Sequence, residues 1–367
     1  AWINGGSVSV TTNALSYFDS VTTYVQGGIT FYKVIAHDVT QSIDLATGSI
    51  VDLSSGGYVG TNGKLKTSNG LPAGEGGSLS LVTYAGAPWL NSNSGIATSF
   101  PQPPIQNNWS PVAANAANVV MDGTVYAGGL SQGGTFTLQV PTIVIDGDAT
   151  SVSSIVAGAQ AGTVVLPASF FNSGFSGYKL TSTYGGVTVT AGTTLSLQQP
   201  NYQLFTAALP ATGARVRDFA GLGMDADGLR HSVDLTLIEQ PFGYGAAGDP
   251  SATAGILLDS GASIIGDPLA KIAFAAGGPI TVLGSIVAPG GSIAMTDSNY
   301  LYGNSSPQYP TQAAQDIWIG ADAVLDVGGV FVPNPLVTGY ATGTVLPGGA
   351  ITLTGDGPII TLVGSTF

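Results

Sequence analysis

Hydrophobic and polar residues alternate along this chain in short bursts, and a glycine pair opens many of them. Six segments read Gly-Gly-x-Φ-x-Φ, where Φ is Val, Ile, Leu, Met or Phe: residues 5–10, 76–81, 133–138, 277–282, 290–295 and 348–353. Looser versions stand at 27–31 and 185–189. Alternation with period two describes a strand with one buried face, and a glycine pair before it describes a turn. The pattern therefore predicts that Val8, Val10, Leu79, Leu81, Phe136, Leu138, Ile280, Val282, Ile293, Met295, Ile351 and Leu353 point inward. A longer phrase recurs in the C-terminal third. Leu258-Asp259-Ser260-Gly261-Ala262-Ser263-Ile264 aligns with Ile319-Gly320-Ala321-Asp322-Ala323-Val324-Leu325, and Val287-Ala288-Pro289-Gly290-Gly291 aligns with Val345-Leu346-Pro347-Gly348-Gly349. A block of roughly 60 residues reads as about three coils of about 20 residues.

Turns of Gly-Gly, Gly-Ala and Pro-Gly-Gly at coil spacing are unlike the Asn-Gly and Asp-Gly loops of hairpin meanders. The expected fold is all-β: a right-handed parallel β-helix (a β-solenoid) with loop insertions, forming one elongated unit over residues 1–367. At about 20–25 residues per coil it would make some 15 coils and a rod about 70–80 Å long. Two stretches break the pattern, 84–120 with its Trp, Pro and Asn and 199–250 with all three Arg. Both read as loop or subdomain excursions. The strand-like, nearly uncharged ends suggest a segment of a longer exoprotein, or one able to associate end to end.

Composition supports strands over helices. Only 8 % of residues are charged, against about a quarter in ordinary domains, so little is available for solvated helical faces. The 54 Gly serve turns. Despite the high apolar share, Gly, Ser, Thr or Asp interrupts every hydrophobic stretch, and no membrane insertion is expected. A net charge of −13 disfavours nucleic acid and anionic membranes as partners. Cys is absent, which suits a chain exported unfolded through a pore.

Candidate chemistry is sparse. Arg215-Val216-Arg217-Asp218, with Arg230-His231 beyond it, is the only basic cluster and reads as surface arginines matched with Asp218 and neighbouring acids. Asp225-Ala226-Asp227-Gly228 and Asp146-Gly147-Asp148 have oxygen-rich spacing, but neither continues to the bidentate Glu of a calcium loop, so both read as turns. No phosphate loop or nucleophile elbow is present. No catalytic residue, cofactor or metal is expected. Aromatic residues in Asn-, Ser- and Pro-rich loops, namely Tyr84, Trp89, Trp109, Tyr300, Tyr302 and Tyr309, are the candidate ligand contacts, since exposed rings beside amides suit sugars or proteins.

The stretch Asp316-Ile317-Trp318-Ile319-Gly320-Ala321-Asp322-Ala323-Val324-Leu325-Asp326-Val327-Gly328-Gly329 resembles the degenerate repeat of filamentous haemagglutinin-like exoproteins, the large passengers of two-partner secretion. Residues 43–57 look like the same phrase near the N-terminus, and 74–81 like its usual sequel. The likeness covers about half the chain, residues 1–82 and 255–367. It implies a right-handed β-helix, export through an outer-membrane secretion pore, display at the bacterial cell surface, and adhesion to a cell-surface glycan or protein receptor without catalysis. The expected function is that of a secreted adhesin or structural exoprotein. The alternative is a β-helix polysaccharide lyase or hydrolase acting on acidic glycans, because such folds also house those enzymes.

Overall fold

The computed structural model describes residues 4–12, 16–26, 29–38, 42–58, 60–62, 64–68, 71–83, 119–155, 162–205, 214–240, 254–298, 316–337 and 339–367. It is all-β, 52 % strand and 4 % helix, which meets the expectation of few helical residues. Most strands pair in parallel, in three ladders. The first joins Ser7–Thr11, Ser78–Val82, Thr135–Asp146, Gly177–Val189, Asp234–Glu239, Lys271–Ala276, Ser292–Asp297 and Ala350–Gly355, each to the next. The second runs through the later halves of Thr135–Asp146 and Gly177–Val189, then Ile256–Leu258, Ile280–Val282, Ile317–Ile319 and Ile359–Thr361. The third joins Thr194–Leu197, Ser263–Gly266, Ser285–Val287 and Val324–Asp326, with a last bridge from Val324 to Thr366. Successive stretches of chain visit the ladders in rotation. Near the N-terminus, Ile43–Leu45 with Val119–Met121 and Ile50–Asp52 with Thr124–Tyr126 form parallel pairs in the same order.

Register explains the repeated phrase. The Φ residues of adjacent strands lie opposite one another, as in Val8↔Leu79↔Phe136 and Ile293↔Ile351, so like side chains stack into one continuous core. Leu79, Leu81, Phe136, Leu138, Ile280, Val282, Ile293 and Met295 are fully buried, as their alternation predicts. Val8, Val10, Ile351 and Leu353 pack on the same core but are half-buried, because the first and last strands of the ladder have a neighbour on one side only. Apart from Gly290, with φ 63°, the glycines of the phrase serve a closer purpose than a positive φ. A Cβ on Gly77 would stand 1.8 Å from the Gly6 carbonyl oxygen, and one on Gly349 would stand 1.8 Å from that of Gly291. Only Gly brings successive passes that near.

Three expectations need correction. Among the described residues the first ladder holds eight strands, which span about 34 Å at about 4.8 Å per strand, not the 70–80 Å of some 15 coils. The shortest pass, from Lys271 to its partner Ser292, matches the expected coil of about 20 residues. Excursions lengthen most others, and the pass from Ser7 to Ser78 is several times as long. For the same reason the recurring block is two passes, not three: Ile256–Leu258 reaches Ile317–Ile319 through one intervening strand. The stretches 84–120 and 199–250 also do not lie wholly outside the paired strands. Val119 and Val120 already pair with Ile43–Leu45, and Asp234–Glu239 lies within the first ladder.

Besides the antiparallel pair Ser153–Ile155/Thr163–Pro167, which follows the second-ladder half of Thr135–Asp146, excursions lie at two corners. At the first corner, between first and second ladders, the segment after Thr11 carries the hairpin Ser16–Gln26/Ile29–Asp38, and the described residues stop at Thr83, Gln240 and Ser298 just beyond first-ladder strands. At the return corner, where the chain leaves one pass for the next, sit three antiparallel ribbons. These are Thr67–Ser68/Leu71–Pro72, Pro200–Leu204/Ala220–Met224 and Val330–Pro333/Gly343–Leu346.

Candidate functional site

The first corner carries a feature that the ladder makes inevitable. Strand Asp234–Glu239 alternates so that Leu235, Leu237 and Glu239 point inward, and Ser292–Asp297 does the same with Ile293, Met295 and Asp297. The third inward position therefore forms a column: Ser182, Glu239, Ala276, Asp297, each opposite the next. Its polar members are enclosed, with Glu239 at 0 % and Asp297 at 1 % exposure. Satisfaction declines along the column. The Ser182 hydroxyl donates to the Pro141 carbonyl at 2.7 Å and accepts from the Gly186 N–H at 2.8 Å. Glu239 Oε2 accepts from the N–H groups of Gly277 (3.0 Å) and Gly278 (2.9 Å), while its Oε1 has no partner among the described residues. Neither oxygen of Asp297 has one there.

Burial dominates the electrostatics here. It pushes the Glu239 carboxyl up to about 8, with the two glycine N–H groups opposing and the Asp297 charge adding to the rise. Asp297 is raised to about 6 by burial, then by Asp356 and Asp316. Among the described residues the corner is acidic without a base. Sequence reasoning overlooked this column, although the alternation Leu235-Thr236-Leu237-Ile238-Glu239 already placed a carboxyl inside.

The six aromatic candidates, Tyr84, Trp89, Trp109, Tyr300, Tyr302 and Tyr309, lie outside the described residues. Their segments, 84–118 and 299–315, both begin beyond first-ladder strands at this corner, after Thr83 and Ser298.

The return corner holds the basic cluster. Arg217 Nη1 stands 3.3 Å from Asp52 Oδ2, and its guanidinium carbon lies 4.5 Å from the centroid of the Tyr126 ring. Arg230 grips Asp267 through Nε (2.9 Å) and Nη2 (2.8 Å) and stands 2.6 Å from Asp227. Asp218 accepts from the Arg215 main-chain N–H at 3.0 Å. Arg217 and Arg230 are matched with acids, but they are largely enclosed rather than on the surface; Asp227 is a sequence neighbour of Arg230, whereas Asp52 and Asp267 come from elsewhere in the stack. A small second core of Leu130, Tyr202, Val216 and Ala220 fastens this ribbon down. Asp225 accepts from Asn201 Nδ2 at 2.8 Å, while the Leu229 main-chain N–H donates to the Ala226 carbonyl at 3.0 Å and the Asp148 main-chain N–H to Asp146 Oδ1 at 3.0 Å, so both oxygen-rich motifs build turns. Among the described residues no three His, Cys, Asp or Glu side chains stand together as a metal-holding group, and no helix is long and apolar enough to cross a membrane.

The fold and corners define an all-β protein of mostly parallel, stacked strands. No family model, no curated protein and no solved structure matches the chain.

Proposed function

We propose that the chain is a right-handed parallel β-helix acting as the rigid scaffold of a secreted or surface-displayed exoprotein, an adhesin of the filamentous haemagglutinin kind. Its receptor would be a cell-surface glycan or protein, and its export route an outer-membrane pore. The observation that carries this reading is the gathering of excursions. Ladders visited in rotation build a stiff stack, and Thr83 and Ser298, the described residues that precede Trp89, Trp109, Tyr300 and Tyr302 in sequence, stand at one corner of it. Insertions collected on one face of a solenoid commonly carry its binding. An enzyme acting on acidic glycans is the weaker reading, because Arg217 and Arg230 are held in ion pairs and so are poorly placed as free bases.

Binding of the full chain to arrayed glycans and matrix proteins tests it, alongside a variant with Trp89, Trp109, Tyr300 and Tyr302 replaced by Ala. The expected result is a ligand that the parent captures and the variant loses. Equal binding by both, or cleavage of polyuronate that the Arg215→Ala, Arg217→Ala double variant abolishes, overturns it.

A further inference from the structure

We propose that Glu239 and Asp297 together hold a small divalent cation of the calcium class inside the first corner, over Ala276. Three carboxylate oxygens are sealed here without a partner among the described residues: Oε1 of Glu239 and both oxygens of Asp297. No Lys, Arg or His among those residues pairs with either acid; the ion pairs formed belong to Arg217 and Arg230 at the other corner. A carboxyl taken out of water must be paired, bound to metal, or neutralised by a proton.

Geometry favours the metal. Glu239 and Asp297 occupy the same inward position two strands apart, with Ala276 between them. Through Oε2 the Glu239 side chain already reaches the N–H groups of Gly277 and Gly278, which follow Ala276, so its carboxylate stands over the intervening strand. About one strand spacing, roughly 5 Å, then separates it from the backbone position of Asp297. A calcium ion bound at about 2.3–2.6 Å to an oxygen on each side spans that gap. Ala276, between them, carries only a methyl group. Asp316 and Asp356, whose charges bear on Asp297, add a negative potential that draws cations inward. Two carboxylates leave further ligand positions for main-chain carbonyls and water, which calcium accepts readily.

Calorimetric titration of Ca²⁺ and Mg²⁺ into the chelator-treated full chain at pH 8, with thermal unfolding in parallel, decides the matter. Saturable binding with a Tm rise of several degrees is expected. Glu239→Gln and Asp297→Asn keep the side-chain volumes, and each should weaken binding at least about tenfold, while Asp148→Asn binds as the parent does. Absence of saturable heat overturns the proposal, as does a Tm rise that persists in both variants and so reflects diffuse screening. A chain that gains stability on acidification to pH 5 but ignores both cations has a proton as the occupant, and that too overturns it. None of these readouts depends on a receptor for the loops.

Discussion

The two corners of the stack are built from the same kinds of residue and solve opposite problems. At the return corner the two enclosed arginines have partners of opposite sign: Arg217 with Asp52, Arg230 with Asp267 and Asp227. Arg217 Nη1, 3.3 Å from Asp52, is left there without a hydrogen bond among the described residues. At the first corner, by contrast, the acids face inward with no base at hand among the described residues, and their carboxyl oxygens go unpaired one after another along the column. The difference follows from where the charges enter. Arg217 and Arg230 come in on excursions that lie over the outside of the stack, where a long side chain can find an acid from another pass. Glu239 and Asp297 are part of the ladder itself, so period two and register dictate where they point. A ladder cannot turn one residue outward without slipping the whole strand. An acid retained there against burial marks a place where something other than stability has shaped the sequence.

The contrast can be broken in four ways. The largest effect should come from Ile293→Asp, which puts an acid on the same inward face as Asp297 but deep among aliphatic side chains. A loss on the order of 4–5 kcal/mol in urea unfolding is expected; a variant within about 1 kcal/mol of the parent, roughly the scatter of a surface change, would mean that the interior accepts carboxyls generally. Next is the pH dependence of the chelator-treated chain. Glu239 goes from an ordinary 4.5 to about 8 in the folded protein, and Asp297 from 3.8 to about 6. A carboxyl that holds its proton longer when folded contributes most below its unfolded value and loses that contribution as the pH climbs through its folded value. Stability should therefore fall between about pH 4 and 8, by on the order of a few kcal/mol, and Glu239→Gln should flatten the upper part of that fall.

At the return corner, Asp267→Ala leaves the Arg230 guanidinium with Asp227 and the Asp225 carbonyl and should cost about 2 kcal/mol, a loss that shrinks in high salt. A salt-independent loss would assign the effect to the turn itself. The smallest change concerns Leu269, the one non-glycine residue among those described with a positive φ, 70°, in the exposed turn beside Asp267. Leu269→Asn should gain about 0.5–1 kcal/mol in the same urea unfolding, since Asn tolerates that backbone and Leu does not.

Much of this organisation was legible beforehand, and the reason is local. Alternation after a glycine pair told which face of Ser292–Asp297 is buried without any knowledge of its neighbours, and the aligned phrases at 258 and 319 marked equivalent ladder positions. What escaped was non-local. Nothing near Arg217 in sequence names Asp52, on a much earlier pass, as its partner. The number of passes escaped too, because a turn that closes at once and a turn that opens into an excursion begin with the same short phrases. The acid column lay between these cases: each half of it was readable in its own strand, yet only register brings Glu239, Ala276 and Asp297 into line.

Unequal pass lengths also set an order in time. Closing a loop becomes harder as it lengthens, and parallel pairing must wait for that closure. Lys271–Ala276 and Ser292–Asp297 are joined by the shortest connection in the first ladder, whereas Ser7–Thr11 must wait for Ser78–Val82, beyond the excursion that carries the long hairpin. The chain should accordingly begin to fold near residues 271–297 and grow outward along its axis, each completed pass serving as the template on which the next is laid.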